Sequence, residues 1–173
     1  ARQDPRVDKR SGVSQRLPIS MLESVVSNAE RRALAAGETV AVPRITDLYA
    51  AIPSITGKME LEYEGELKGA DQISRELVRG AVSRVFEGHF PDADMRQIVD
   101  WFELGGSLDL DDLESAADLV RAAGEVQGLL DMARRSGVAA DAPDALVASG
   151  VDFVLEGLYS QKKISRSEGR GFH

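Results

Sequence analysis

The chain has 173 residues, enough for one domain or for two small helical subdomains that share an interface. A hydrophobic fraction of 43% supplies a core, while 29% charged residues and no apolar run near the roughly 18 residues of a bilayer span exclude a membrane-spanning helix. The lack of cysteine excludes disulfides, thiolate metal sites and cysteine nucleophiles, and a net charge of −8 argues against general nucleic-acid binding, which needs a cationic face.

Aromatic residues make up only 5% of the chain, so the core is built from Leu, Val, Ile and Ala, a mixture that favours helix packing over a β-sandwich. The fold class expected is therefore all-α. The first segment, residues 1–16, carries five cations (Arg2, Arg6, Lys9, Arg10 and Arg16) against Asp4 and Asp8. It has no apolar period and contains Pro5 and Gly12, so it reads as loop, with residues 1–9 as a solvated tail. The chain starts at Ala1 in a charged run without signal-peptide architecture, which reads like the middle of a longer, cytoplasmic sequence.

A first helix is expected from Ser14 or Ile19 to Ala36. Ile19, Leu22, Val25, Val26, Ala29 and Ala33 recur at steps of three and four, Pro18 suits a first turn, and Gly37 is a natural stop. Thr46 reads as the N-cap of a short helix through Ile52, broken by Pro53. The run Lys58–Glu64 alternates apolar and acidic residues like an exposed strand, yet Ile52, Ile55, Met59 and Tyr63 continue a helical stripe. No second alternating run stands nearby to pair with it, so a short helix is the expectation.

Ile73, Leu77, Val78, Ala81, Val82, Val85 and Phe86 give a wide apolar helix face from Ala70 to Phe86, ended by Gly88 and Pro91. Met95, Ile98, Val99 and Phe102 mark a further helix that stops at Gly105 and Gly106. Asp111 and Glu114 have capping-box spacing before an expected long helix to about Arg135. Pro143 opens a last helix with Leu146, Val147, Val151, Val154 and Leu158, and residues 164–173 are expected to fray.

The chemistry on offer is sparse. His89 and His173 lie far apart, with no helical metal-ligand spacing, and read as surface residues. Asp109, Asp111 and Asp112 sit where a helix begins and its dipole favours acids; the glycine and distal glutamate of a calcium loop are not at their offsets. No metal site is expected. There is no G-x-x-x-x-G-K-[ST], no nucleophile elbow and no Ser-x-x-Lys, so no catalytic residue is assigned. The run Lys9-Arg-Ser-Gly-Val-Ser-Gln-Arg-Leu17 stands apart, because it puts Arg16 at a helix mouth. Unpaired N–H groups and a guanidinium there are both attractive to phosphate, although on the residues alone a surface arginine at a helix start is the better explanation.

Ser11-Gly-Val-Ser-Gln-Arg-Leu17 resembles the segment that joins the nucleotide-binding core to the helical lid in AAA+ ATPases of the magnesium-chelatase I-subunit-like and MoxR type. Val42-Pro-Arg-Ile-Thr-Asp-Leu48, Gly57-Lys-Met-Glu-Leu-Glu-Tyr-Glu-Gly-Glu66 and Phe153-Val-Leu-Glu-Gly-Leu158 with Lys162, Lys163 and Ile164 resemble the same proteins. The resemblance covers nearly the whole chain. It implies a linker from a missing core over residues 1–13, an AAA+ lid-type helical bundle over 14–90, a helical C-terminal extension over 91–163 and a flexible tail over 164–173.

The resemblance further implies that Arg16 is the sensor-2 arginine, reporting on the γ-phosphate of ATP, with Gly12 and Val13 close to the nucleotide. ATP and Mg2+ would be cofactors of the full-length parent and not of the fragment alone, since the Walker segments belong to the core. The partners implied are the core of the same chain, neighbouring subunits of a ring, and a protein with a von Willebrand A domain; neither membrane nor nucleic acid is among them. Two other readings stand beside it. One is a non-enzymatic helical interaction module using the acidic run Glu60–Glu66. The other is the lid of a sigma-54-dependent transcriptional activator, disfavoured because the chain end lacks a basic helix-turn-helix.

Overall fold

A computed structural model of the chain describes every residue except 2, 11, 112 and 168–170. The readings that fall on Arg2, Ser11 and Asp112 lie outside the described residues. The described residues form eight α-helices and one small antiparallel strand pair.

Helix α1 spans Leu17–Ala36 and ends on Gly37 in the left-handed conformation, as the sequence predicts. Its apolar stripe is only half covered. Val25, Ala29 and Ala33 are buried, whereas Ile19 and Leu22 are 58% and 64% exposed. Helix α2, Ile45–Ala50, starts two residues earlier than Thr46 as N-cap would set it. The Asp47 carboxylate accepts from the Arg44 backbone N–H at 2.8 Å, so Arg44 occupies the cap position and Thr46 lies inside the helix. Two short 3-10 turns, Ile52–Ser54 and Thr56–Lys58, follow, accommodating Pro53 at a helix start.

The alternating run at 58–64 divides in two, which corrects the expectation of a helix throughout. Met59 and Leu61 are extended and bridge antiparallel to Val13 and Val7; helix α3 begins only at Tyr63 and ends at Lys68. The strand's partner is the basic N-terminal segment. That segment was expected to be loop with a solvated tail, but Val7 is completely buried. Pairing satisfies its backbone through Asp8 N–H to Glu60 O, Glu60 N–H to Gly12 O and Ser14 N–H to Lys58 O, all at 3.0 Å.

Helix α4, Ala70–His89, presents the predicted face, burying Ile73, Val78, Val82 and Phe86. His89 is the last residue of this helix, not part of the turn after it. Helix α5 covers Arg96–Glu103. The long helix expected to run to Arg135 is instead two helices, α6 over Ala116–Ala123 and α7 over Leu129–Arg135. Asp111 accepts from Leu113 N–H in a local turn, and the N-cap is Ser115, whose hydroxyl accepts from Asp118 N–H. A left-handed Gly128 breaks the run so that Val126 and Leu129 both reach the core.

Helix α8, Asp144–Ser160, is the axis of the molecule and packs against α2, α4, α6 and α7. Being surrounded, it buries residues on most sides rather than along one stripe, Asp152 and Glu156 among them. Its core partners include Phe86, Phe102, Leu119, Leu129 and Phe172. The last of these overturns the expected frayed tail: Arg166–Ser167 (β1) pairs with Gly171–Phe172 (β2), and Phe172 exchanges both backbone hydrogen bonds with Leu108. One buried aromatic ring supplies the apolar area that fixes the chain end.

Candidate functional site

Arg16 occupies the N-cap of α1. Its backbone N–H donates to Ser14 Oγ at 3.2 Å, and its carbonyl accepts from Ser20 N–H at 2.9 Å. The side chain is exposed and has no hydrogen-bond or ion-pair partner among the described residues. The first turn of α1 contains no acidic residue, so the partial positive charge of the helix end is uncompensated. The helix dipole mildly disfavours a guanidinium at this place, and an anion would offset that cost.

The approach to Arg16 is fixed by its neighbours. Gly12 is buried, and a Cβ there would lie 2.0 Å from the Asp8 carbonyl oxygen, so the tight return of the chain alone accounts for a glycine. Val13 is half-buried and pairs with Met59. Gly12, Val13 and Arg16 therefore share one ordered lead-in to α1. Further back, Arg6 bonds Asp4 and Glu76, and Glu76 also bonds Lys68. The Arg6 guanidinium holds the Asp4 carboxyl down to about 2, and Lys68 with Arg6 does the same for Glu76. These bonds tie the N-terminal segment to α4.

Ile19 and Leu22 step by three from Arg16, and with Val26 they make an uncovered apolar strip beside it. Next to the strip, Leu17 and Met21 form one wall of an apolar groove of about 370 Å3, with Leu48 of α2, Ile55 and Leu77 and Val85 of α4 among its other walls.

Behind α1 and α2 lies a polar network that sequence reasoning missed. Arg32 and Asp47, both nearly enclosed, form an ion pair at 2.6 Å, and Arg32 also bonds the Val42 carbonyl. Asp152 accepts from Thr46 N–H at 2.9 Å, and burial raises its carboxyl above the usual range, with its second oxygen unpartnered. Glu156, fully buried, accepts from Tyr49 Oη at 3.0 Å and pairs with Arg166. The available signal was an Asp and a Glu at i and i+4 on the most apolar helix. Two carboxylates on a buried face require partners.

The described residues contain no group of three His, Cys, Asp or Glu able to hold a metal ion, and no helix among them is long and apolar enough to cross a membrane. His89 packs edge-on against Phe153 at 5.7 Å, and His173 bonds backbone to backbone with Ser165. No protein family matches the sequence, and no curated protein or solved structure matches it.

Proposed function

We propose that the chain is the lid and helical C-terminal extension of a magnesium-chelatase-like AAA+ ATPase, coupling ATP binding and hydrolysis in a core domain to remodelling of a partner. The observation that carries this reading is Arg16: a guanidinium with no partner among the described residues, at the uncompensated N-terminus of a 20-residue helix, beside an apolar strip that those residues leave open. A sensor-2 arginine needs this arrangement, with the charge free to meet a phosphate and the adjacent surface free to seat against another domain.

The residues present fit one cationic contact to a triphosphate and no more. A P-loop is missing from the sequence and no acidic cluster that could hold Mg2+ occurs among the described residues, so those contacts would come from the core. Bound there, ATP and Mg2+ supply phosphoryl transfer; Arg16 contributes charge stabilisation at the γ-phosphate and links that charge to the angle of α1. In the full-length parent, Arg16→Ala should lower ATP turnover by about tenfold or more. The side chain is exposed and has no hydrogen-bond or ion-pair partner among the described residues, so the thermal midpoint of the lid should not move. Wild-type turnover in that variant would remove the role. The chain alone should hydrolyse no ATP above background.

A second reading, an interaction module, is favoured by a different surface. Tyr63 and Leu67 are exposed one turn apart on α3, flanked by the exposed carboxylates of Glu62, Glu64 and Glu66. Replacing both with Ser should leave ATP turnover of the parent unchanged; loss of client remodelling in that variant would show that α3 carries the partner contact.

A further inference from the structure

The end of α8 and the start of β1 enclose a cavity of about 270 Å3 that shares no residue with the α1 site. Its polar lining is Arg79 from α4, Tyr159 and Ser160 from α8, and Lys162, Ser165 and Arg166 beyond it; no carboxylate among the described residues lines it. Three cations converging on one cavity is unexpected in a chain of net charge −8.

Both arginines are held in place with donors to spare. Arg79 Nη2 donates to Tyr159 Oη at 2.6 Å, and its guanidinium carbon lies 4.4 Å from the Tyr159 ring centroid. The phenol oxygen accepts that bond and keeps its own proton to donate. Arg166 spends one nitrogen on buried Glu156 and stacks between Tyr49 and Phe172, its carbon 5.4 and 5.1 Å from their centroids. The pairing orients the fork and leaves its other nitrogens uncommitted.

Lys162 is the most telling. It is the only described non-glycine residue with a left-handed backbone, φ 60°, at the position that closes α8 through Lys162 N–H to Tyr159 O and Lys163 N–H to Leu158 O. Glycine is the sterically favoured residue there. A lysine in its place adds a cationic residue to the cavity lining. The negative end of the α8 dipole opposes an anion, but it amounts to about half a charge against Arg79 and Lys162, the two cations left after Glu156 offsets Arg166.

We propose that this cavity binds a small phosphate-type oxyanion, either inorganic phosphate or the phosphate group of a small monoester. A guanidinium fork, an ammonium and a phenol proton match the dispersed acceptors of a phosphate, whereas a planar carboxylate would satisfy a single fork. The volume lies just below the roughly 300 Å3 at which drug-sized pockets begin, so the ligand is small.

Calorimetric titration at constant ionic strength tests the site with inorganic phosphate, glycerol phosphate and acetate. Saturable one-to-one binding of phosphate with Kd on the order of 1 mM or tighter is expected, with acetate at least about tenfold weaker. Lys162→Asn keeps a residue that tolerates the left-handed backbone and removes the charge; it and Arg79→Gln should each weaken binding by about tenfold. Lys163→Asn, outside the lining, should leave it within about twofold, and unchanged thermal midpoints will show that the variants fold. Glycerol phosphate binding as tightly as phosphate identifies a monoester site, and its exclusion identifies a site for the free ion. Absence of saturable binding, equal binding of acetate, or an equal loss in Lys163→Asn would overturn the proposal.

Discussion

Replacing Gly157 with Ala should destabilise the protein, although Gly→Ala inside an exposed helix normally stabilises by about 1 kcal/mol. Gly157 lies in α8, where a Cβ would stand 2.0 Å from Phe86 Cδ2 and 2.4 Å from Cε2 and Cγ. Carbon atoms in contact sit about 3.5–4.0 Å apart, so the ring would have to move by roughly 1.5 Å. It has nowhere to go: Phe86 is 2% exposed and its centroid lies 5.1 Å from Phe90 and 5.8 Å from Phe153.

Overpacking of this kind costs up to about 3 kcal/mol, which outweighs the helical gain and leaves a loss of about 2 kcal/mol. For a chain of this size each kcal/mol moves the thermal midpoint by about 2–4 °C, so a fall of about 4–8 °C is expected by calorimetry. Gly80→Ala is the matched control. It lies within α4, exposed, with nothing within 4 Å of an added Cβ, and should raise the midpoint by about 2–4 °C. Phe86→Leu introduced with Gly157→Ala should show favourable coupling of about 1 kcal/mol or more. A Gly157→Ala protein as stabilised as the Gly80→Ala control would refute the close packing of α8 on α4.

Arg166→Met leaves the fully buried Glu156 with Tyr49 as its remaining partner and should cost about 3–5 kcal/mol in urea denaturation, with Glu156→Met in the same chain recovering most of it. Asp4 and Glu76 have folded pKa values near 2 against ordinary values of 3.8 and 4.5. Their contribution should be complete above those ordinary values and lost as pH falls toward 2, and Arg6→Gln should flatten that slope in denaturation midpoints measured against pH. Asp152 has the opposite sign. Its carboxyl is raised by burial, so wild type should lose stability relative to Asp152→Asn as pH climbs above 3.8, and the two should converge in acid. A difference independent of pH would place the cost in packing rather than in charge.

Much of the helical content was legible because it rests on local physics. The periodicity of Ile73 to Phe86, the stop at Gly37 and the opening of α8 after Pro143 are short-range consequences of the 3.6-residue turn, the left-handed freedom of glycine and the fixed φ of proline. Arg16 at a helix mouth was legible for the same reason. The errors lie where a partner is distant in sequence. Met59 and Leu61 alternate like a strand, but the segment that pairs with them, Val7 to Val13, has no alternation of its own and reads as loop.

The tail seemed polar because a single Phe172 carries its anchorage to Leu108. Asp111 and Glu114 had the spacing of a cap, yet Ser115, directly before α6, holds that place. The sequence by itself thus determined an acidic, helix-rich, cysteine-free chain with a cation at the start of α1. Only the tertiary structure decided that this cation stands without a partner among the described residues beside an open apolar strip, while Arg79, Lys162 and Arg166 converge on a cavity. The physical reason is range: backbone geometry acts over a few residues, whereas burial and charge pairing join side chains that the chain's path alone brings together.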